Sequence, residues 1–222
     1  MSGSRALAIA HRAGNDLATL RAAEAAGADL VEADVWSYRG RLEIRHLKTM
    51  GPVPLLWDRW KLASARGPRL LIADILAAAR PSTQFMFDLK GTDAELPRAL
   101  IEAIRASGRA GPYTVCSQRW ELLRPFDEIA DACVAASIGG PRQLRRAWGR
   151  LADDDRRIVS IHFKLLDAET VQRLKQRARG VITWPINTPE RLEKVLAWGV
   201  DGFTSDNLEV VRQYAAAAAA SA

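Results

Sequence analysis

The sequence predicts a closed (β/α)₈ barrel of the TIM type, and three observations support that prediction. Strand-like and helix-like stretches alternate along all 222 residues, as is typical of parallel sheets. Several predicted helices end at a glycine, which is a common helix terminator. Eight strand–helix units in a chain of this length match a (β/α)₈ barrel. An open doubly wound sheet is the alternative, but no Gly-rich phosphate-binding sequence follows the first strand.

Each unit joins a short apolar segment to a segment of helical composition. Main strands are predicted at 5–10, 29–35, 83–90, 113–117, 132–137, 157–162, 181–186 and 201–205. Helices are predicted at 16–26, 72–80, 94–107, 118–126, 141–151, 168–179 and 189–198, and a last helix follows the eighth strand. An extra extended segment, 41–46, forms a hairpin arm.

The whole chain is expected to be one catalytic domain, a barrel over residues 1–214. Residues 47–69 form a short loop insertion rich in proline and tryptophan. The alanine-rich tail, 215–222, is expected to fray from the last helix.

Composition limits the classes of partner. The net charge of +6 suits an anionic substrate, an anionic membrane surface or nucleic acid. Nucleic acid is the least favoured, because the basic residues form no long run. Cys116 and Cys133 lie apart, which indicates neither a zinc site nor a disulfide scaffold. The first apolar segment is too short for a signal peptide or a transmembrane span, so a cytoplasmic protein is expected. The oligomeric state is not determined by these features.

Two carboxylates stand out on the second predicted strand. Glu32 and Asp34 are two residues apart, so their side chains share one face with Leu30. Buried carboxylates are costly without a positive partner. Asp88 ends the third strand and supplies a third oxygen donor. A hard divalent cation, Mg²⁺ or Ca²⁺, would accept these three ligands and leave positions for water or substrate; a salt-bridged pair is the structural alternative.

Other polar residues fall at strand ends, where a (β/α)₈ barrel carries its active site. His11 and His46 have ordinary pKa values near neutrality and can exchange protons with a substrate. Arg12 and Lys90 are cations suited to phosphate oxygens. The remaining candidates are Trp184, His162 and Lys164. A metal, two histidines and two cations around one cleft favour phosphodiester cleavage.

Several motifs give the chain a family resemblance. They are Ile-Ala-His-Arg-Ala-Gly at 9–14, Gly-Ala-Asp-Leu-Val-Glu-Ala-Asp-Val at 27–35, His46, Thr-Trp-Pro-Ile-Asn at 183–187 and Gly-Val-Asp-Gly-Phe-Thr-Ser-Asp at 199–206. Together they resemble the glycerophosphodiester phosphodiesterase family over nearly the whole chain.

The resemblance implies a (β/α)₈ barrel that uses a divalent cation to hydrolyse glycerophosphodiesters to glycerol 3-phosphate and an alcohol. It places the catalytic pair on His11 and His46 and the Glu-x-Asp metal ligands on Glu32 and Asp34. The family's Glu-x-Lys pair falls on Asp88 and Lys90, and its active-site tryptophan falls on Trp184.

The chain departs from the family pattern at several points. Ala13 replaces a glycine, and the family's Pro-Glu-Asn-Thr segment before the first helix is missing. Leu47 follows His46 where an aspartate is usual. Asp88 replaces a glutamate, which also resembles the related spider-type sphingomyelinases D.

The 47–69 insertion raises the question of substrate. It contains Leu55, Leu56, Trp57 and Trp60 beside cations, a combination that suits a lipid-like substrate or a membrane interface. A lysophospholipase D acting on lysolipids is therefore one alternative to an enzyme for small diesters. Two other classes stay open: a barrel enzyme with Lys90 or Lys164 as a Schiff-base lysine, and a non-catalytic barrel that binds an anion.

Overall fold

Eight parallel strands close into a barrel in the part of the chain that the computed structural model describes, residues 5–49, 55–58, 61–64, 66–151 and 157–220. Strand β1 pairs with both β2 and β8, which closes the ring. This confirms the predicted TIM barrel. The barrel strands are β1 (Leu7–Ala10), β2 (Leu30–Tyr38), β3 (Gln84–Leu89), β4 (Tyr113–Ser117), β5 (Ala132–Ile138), β6 (Ile158–His162), β7 (Gly180–Trp184) and β8 (Gly202–Ser205).

Helices cover the outside of the barrel and largely match the predicted positions. They are α1 (Leu17–Ala25), α2 (Ile72–Ala78), α3 (Leu96–Ala106), α4 (Pro141–Arg150), α5 (Ala168–Lys175), α6 (Pro189–Ala197) and α7 (Leu208–Ala220). Among the described residues, none of these helices combines the length and apolar character needed to cross a membrane.

Two helical predictions need correction. The segment predicted as a helix at 118–126 is a 3₁₀ helix, Trp120–Phe126, with Pro125 inside it. Proline lacks a backbone N–H donor, which disfavours a regular α-helix there. The alanine-rich end, expected to fray from residue 215, continues α7 as far as Ala220. Alanine has the highest helix propensity, which explains the continuation.

The 47–69 insertion is not a plain loop, as the sequence suggested. Lys48–Thr49, Leu55–Asp58 and Lys61–Ser64 form a small antiparallel sheet. Side chains along one of these strands alternate between a buried and an exposed face, as is typical of a β-strand. Leu56 is fully buried, whereas Leu55 and Trp57 on the opposite face are partly exposed. Trp60 lies outside the described residues. The hairpin arm is confirmed as Arg41–Ile44, which pairs with both β2 and the short strand Leu70–Leu71.

The interior of the barrel is apolar toward the N-terminal ends of the strands and polar toward their C-terminal ends. A buried cluster inside the ring contains Ile9, Leu30, Met86, Cys116, Ala135 and Ile182. Outward-facing residues of β2, such as Val31 and Ala33, belong to a separate core beneath the helices. Because side chains alternate along a strand, Glu32 and Asp34 follow Leu30 on the inward face.

Candidate active site

Three carboxylates meet inside the barrel. One oxygen each of Glu32, Asp34 and Asp88 lies within 4.8 Å of the others. Parallel pairing sets Asp34 directly beside Asp88. Lys90 follows β3, and its Nζ lies 2.9 Å from Asp34 Oδ1 and also bonds to Asp88. Among the described residues, Lys90 is thus the cation that forms ion pairs with both Asp34 and Asp88.

The electrostatics show that this cluster is short of positive charge. Burial, and then the charges of Asp34 and Asp88, raise the pKa of Glu32 to about 8 despite the opposing charges of His11 and Lys90. Burial also raises the pKa of Asp88, although the charge of Lys90 acts to lower it. Burial disfavours ionised Asp34 as well, but adjacent Lys90 outweighs it and lowers the pKa of Asp34. The surrounding carboxylates overcome burial to raise the pKa of Lys90, which stays charged.

This donor set fits a hard divalent cation. Carboxylate oxygens are the ligands that Mg²⁺ and Ca²⁺ prefer. A cation there would favour the ionised form of Glu32 and so oppose the burial and the neighbouring carboxylates that raise its pKa. The residues that would hold it are Glu32, Asp34 and Asp88, the set predicted from the sequence.

A short turn before α1 fixes the position of Asp34. The Asn15 side-chain amide donates to Asp34 Oδ2 at 2.7 Å, and its oxygen accepts from the Asp34 backbone N–H at 2.9 Å. Gly14 allows this approach, because a Cβ there would lie 2.7 Å from the Cβ of Ala33. Asn15 therefore supports the acidic cluster, a role that the sequence did not reveal.

Arg12 contributes its backbone as well as its charge. Its N–H donates to Glu32 Oε2 at 2.5 Å. The backbone of Arg12 has a φ of 55°, in the left-handed region. Arg12 is among the residues that line the cavity described below. Arg12 also acts on Asp206 through its charge, which helps to lower the pKa of that carboxyl.

Asp206 orients His11. Its Oδ1 lies 2.8 Å from His11 Nδ1, while His11 Nε2 lies 3.9 Å from Glu32 Oε2. Asn187 holds Asp206 in turn, accepting from its backbone N–H at 2.9 Å. Burial opposes protonation of His11, but Asp206 and Glu32 outweigh it, so the pKa of His11 is raised. The hydrogen bond with His11 lowers the pKa of Asp206 to about 2.

His46 has a matching carboxylate partner that comes from the insertion. Asp58, on the strand Leu55–Asp58, places Oδ2 at 2.8 Å from His46 Nδ1. Leu47, the residue next to His46, has no carboxylate. The small sheet therefore places the carboxylate of Asp58, twelve residues further along the chain, beside His46.

Both histidines thus present Nε2 rather than Nδ1 to their surroundings. A carboxylate at Nδ1 favours the tautomer with its proton on that nitrogen, which leaves Nε2 free to accept a proton.

The two histidines and the acidic cluster lie around a cavity of about 220 Å³ at the C-terminal end of the barrel. Asp34 lies beneath it and is 1% exposed. The cavity is lined by His11, Arg12, Glu32, His46, Lys48, Met86, Asp88, Lys90, Cys116, Gln118, Ser137, Ser160, Trp184 and Thr204.

The remaining candidates divide between the cavity and its edge. Trp184 lines the cavity, and its ring meets the His162 ring edge-on with centroids 4.8 Å apart. His162 Nδ1 accepts from the Lys164 backbone N–H at 3.1 Å. Burial, and then the charge of Lys164, lower the pKa of His162. Neither His162 nor Lys164 is among the cavity-lining residues, so the structure does not bring them to the cavity itself.

Sequence reasoning missed Asn15, Asp58 and the pairing of Asp206 with His11. Asp206 had a usable signal, because it follows β8 and the strand ends converge. No such signal marks Asp58, because the sequence predicts a loop where the structure has a strand.

The fold is shared with several solved structures at low sequence identity. A phosphodiesterase from Oleispira antarctica, solved with the product sn-glycerol-3-phosphate, is 18% identical with a TM-score of 0.74, covering 95% of this chain and 96% of that one. A glycerophosphodiester phosphodiesterase from Thermotoga maritima is 16% identical with a TM-score of 0.73, covering 96% and 99%. One from Parabacteroides distasonis is 19% identical with a TM-score of 0.71, covering 98% and 100%.

No protein-family model matches the chain, and no curated protein matches it in sequence. At these identities the structural likeness establishes a common barrel architecture. The activity has to be argued from the site.

Proposed function

We propose that this chain is a metal-dependent glycerophosphodiester phosphodiesterase that releases glycerol 3-phosphate and an alcohol. One observation carries the proposal: two histidines, each paired with a carboxylate at Nδ1, line one cavity together with the acidic cluster. That arrangement supplies proton transfer and charge neutralisation at the same place, which phosphodiester hydrolysis requires.

The acidic cluster is assigned to metal binding. Glu32, Asp34 and Asp88 would hold Mg²⁺ or Ca²⁺, and such a cation, when bound, neutralises charge on the phosphate oxygens. Asn15 and the Arg12 backbone N–H hold two of these carboxylates in place.

The histidines are assigned to proton transfer. A neutral imidazole can accept a proton at Nε2 from the nucleophile, which is either water or a neighbouring hydroxyl of the substrate. A protonated one can donate from Nε2 to the departing alkoxide. Asp206 favours the protonated form of His11. Asp206 and Asp58 fix the orientations of the two rings through their contacts at Nδ1. The assignment of His11 as base and His46 as acid stays a prediction.

Two cations and one aromatic ring are assigned to substrate binding. Lys90 is held charged between Asp34 and Asp88, and Arg12 is among the residues that line the cavity. Both suit phosphate oxygens. Trp184 offers a flat apolar wall beside them. The structural neighbour from Oleispira antarctica, which binds sn-glycerol-3-phosphate, supports the choice of glycerol phosphate as product.

The raised pKa of Lys90 argues against a Schiff-base enzyme. Schiff-base formation requires a neutral amine, whereas the carboxylates Asp88 and Asp34 hold this ammonium in its charged form. Borohydride trapping with a carbonyl substrate should leave Lys90 unmodified. A barrel that only binds an anion is distinguished by the activity assay below.

The deciding experiment is turnover of glycerophosphocholine before and after removal of metal. Activity should be lost with a chelator and restored by Mg²⁺, Ca²⁺ or Mn²⁺. Glu32→Gln should abolish activity and weaken metal binding with the fold kept. Glu102→Gln is the matched control, because Glu102 is exposed and pairs only with Arg98 on the same helix among the described residues. Full activity of the metal-stripped protein would overturn the proposal.

A lysophospholipase D activity is the second candidate, and the small sheet favours it. Leu55, Trp57 and Leu62 are 37%, 39% and 67% exposed. Lys48, which lines the cavity, lies 5.5 Å from the Trp57 ring. An apolar surface beside a cation at the cavity edge suits the chain of an anionic lysolipid. A cytoplasmic location and a role in lipid and glycerol metabolism stay predictions.

A further inference from the structure

A second cavity adjoins the candidate active site. It has a volume of about 260 Å³ and lies between the 3₁₀ helix Trp120–Phe126 and α4. Gln118 lines both cavities. Trp120 lines the second one and donates its indole N–H to the backbone oxygen of Ser137, which lines the first. The two cavities therefore share a wall made of Gln118 and the Trp120–Ser137 contact.

Hydrogen bonds position the Gln118 side chain in this wall. The Gln118 side-chain oxygen accepts from the Gln143 side chain at 3.3 Å. Gln143 in turn accepts from the Gly139 backbone N–H at 2.7 Å. A Cβ at residue 139 would lie 2.9 Å from Gln118 Nε2, so glycine is what lets Gln118 lie there. The Gln118 amide therefore lies at the boundary between the two cavities.

The second cavity is strongly basic. Three arginines line it: Arg119, Arg146 and Arg150. Its one carboxylate, Glu121, lies 3.5 Å from Arg150 and neutralises that charge. Arg150 also packs over the Trp120 ring at 5.8 Å. In the part of the chain that the structure describes, Arg119 and Arg146 have no carboxylate partner, so two positive charges face this cavity uncompensated.

We infer that this cavity, the arginine groove, binds a second phosphate group of the substrate, beyond the phosphodiester that is cleaved. Arginine recognises phosphate through paired N–H donors. A substrate long enough to reach past Gln118 would place one phosphate over the acidic cluster and another between Arg119 and Arg146. The inference rests on the proposed function and adds a substrate class to it, glycerophosphodiesters that carry an additional phosphate.

The test compares two substrates that differ by one phosphate-linked unit. Glycerophosphoglycerol has one phosphodiester, and 1,3-bis(glycerophospho)glycerol has a second. Wild-type kcat/KM should be higher for the second compound. The double variant Arg119→Ala/Arg146→Ala should lose about 5- to 10-fold in kcat/KM on it, since each exposed ion pair contributes modestly. On glycerophosphoglycerol the same variant should change by less than about twofold. High salt should reduce the preference, because the groove is open to solvent.

The control variant is Arg142→Ala/Arg145→Ala. It removes the same number of positive charges, both from α4, at exposed positions that do not line the groove. Its kinetics on both substrates should match those of the wild type. Equal losses on the two substrates in the groove variant, or equal losses in both variants, would overturn the inference.

Failure of the proposed function would be seen separately. If neither compound is hydrolysed, calorimetric binding of the two compounds still decides the role of the groove. Tighter binding of the two-phosphate compound that disappears in Arg119→Ala/Arg146→Ala would support the groove, and equal binding of both compounds would refute it.

Discussion

The ionisation of Glu32 should make the stability of the metal-free protein fall as the pH rises. Its pKa is 4.5 in the unfolded reference and about 8 in the folded protein. Between these values the folded state holds a proton that the unfolded state has lost. Each pH unit then costs about 1.4 kcal/mol of folding free energy, so the loss from about pH 6 to about pH 8 is about 2 to 3 kcal/mol.

The substitution Glu32→Gln should remove most of this slope. Glutamine stays neutral at every pH and can still accept the N–H of Arg12 through its side-chain oxygen. His11 acts in the same direction as Glu32. Its pKa is also raised, so its stabilising charge is lost as the pH rises through the folded value. Glu32 is one cause of that shift, so the substitution weakens the contribution of His11 too.

The assay is urea unfolding at both pH values, with a chelator present throughout. Wild-type stability should fall by about 2 to 3 kcal/mol and that of Glu32→Gln by clearly less. Glu102→Gln, at an exposed position, should behave like the wild type. Adding Mg²⁺ at the higher pH should stabilise the wild type and have a smaller effect on Glu32→Gln, because a ligand of the folded state stabilises it. Identical pH slopes in the wild type and Glu32→Gln would refute the reasoning.

Three further predictions concern catalysis. His11→Ala and His46→Ala should each lower turnover by ~10²-fold or more with little change in KM, and the wild-type pH–rate profile should be bell-shaped, since one imidazole must be neutral and the other protonated. Asp58→Asn and Asp206→Asn should each lower kcat by about tenfold, because each loses the charge that holds a histidine in position. Trp57→Ala should raise the KM for lysolipids and leave glycerophosphocholine kinetics unchanged.

Each of these three predictions would be contradicted by a specific result. Near wild-type turnover in either alanine variant would make that histidine structural. A change in KM alone after Asp58→Asn would place Asp58 in substrate binding rather than in the positioning of His46. Equal losses on lysolipid and on glycerophosphocholine would show that Trp57 has only an architectural role.

The barrel and the acidic cluster could be predicted because both depend on local patterns. Alternating strand and helix segments limit the architecture. The two-residue repeat of a strand puts Glu32 and Asp34 on one face with Leu30. Convergence of strand ends in a barrel then brings Asp88, His11 and His46 to the same place. These relations need no knowledge of side-chain packing.

The sequence by itself therefore predicted the class of fold and part of the cavity lining, namely His11, Arg12, Glu32, His46, Asp88, Lys90 and Trp184. Only the tertiary structure decided which carboxylate pairs with which histidine. Asp58 lies twelve residues from His46 and reaches it only because the insertion folds into a sheet. Asp206 meets His11 across 195 residues because β8 pairs with β1. The arginine groove exists only because α4 packs beside the 3₁₀ helix after β4. Such contacts depend on how separate elements pack, and local sequence periodicity does not encode that packing.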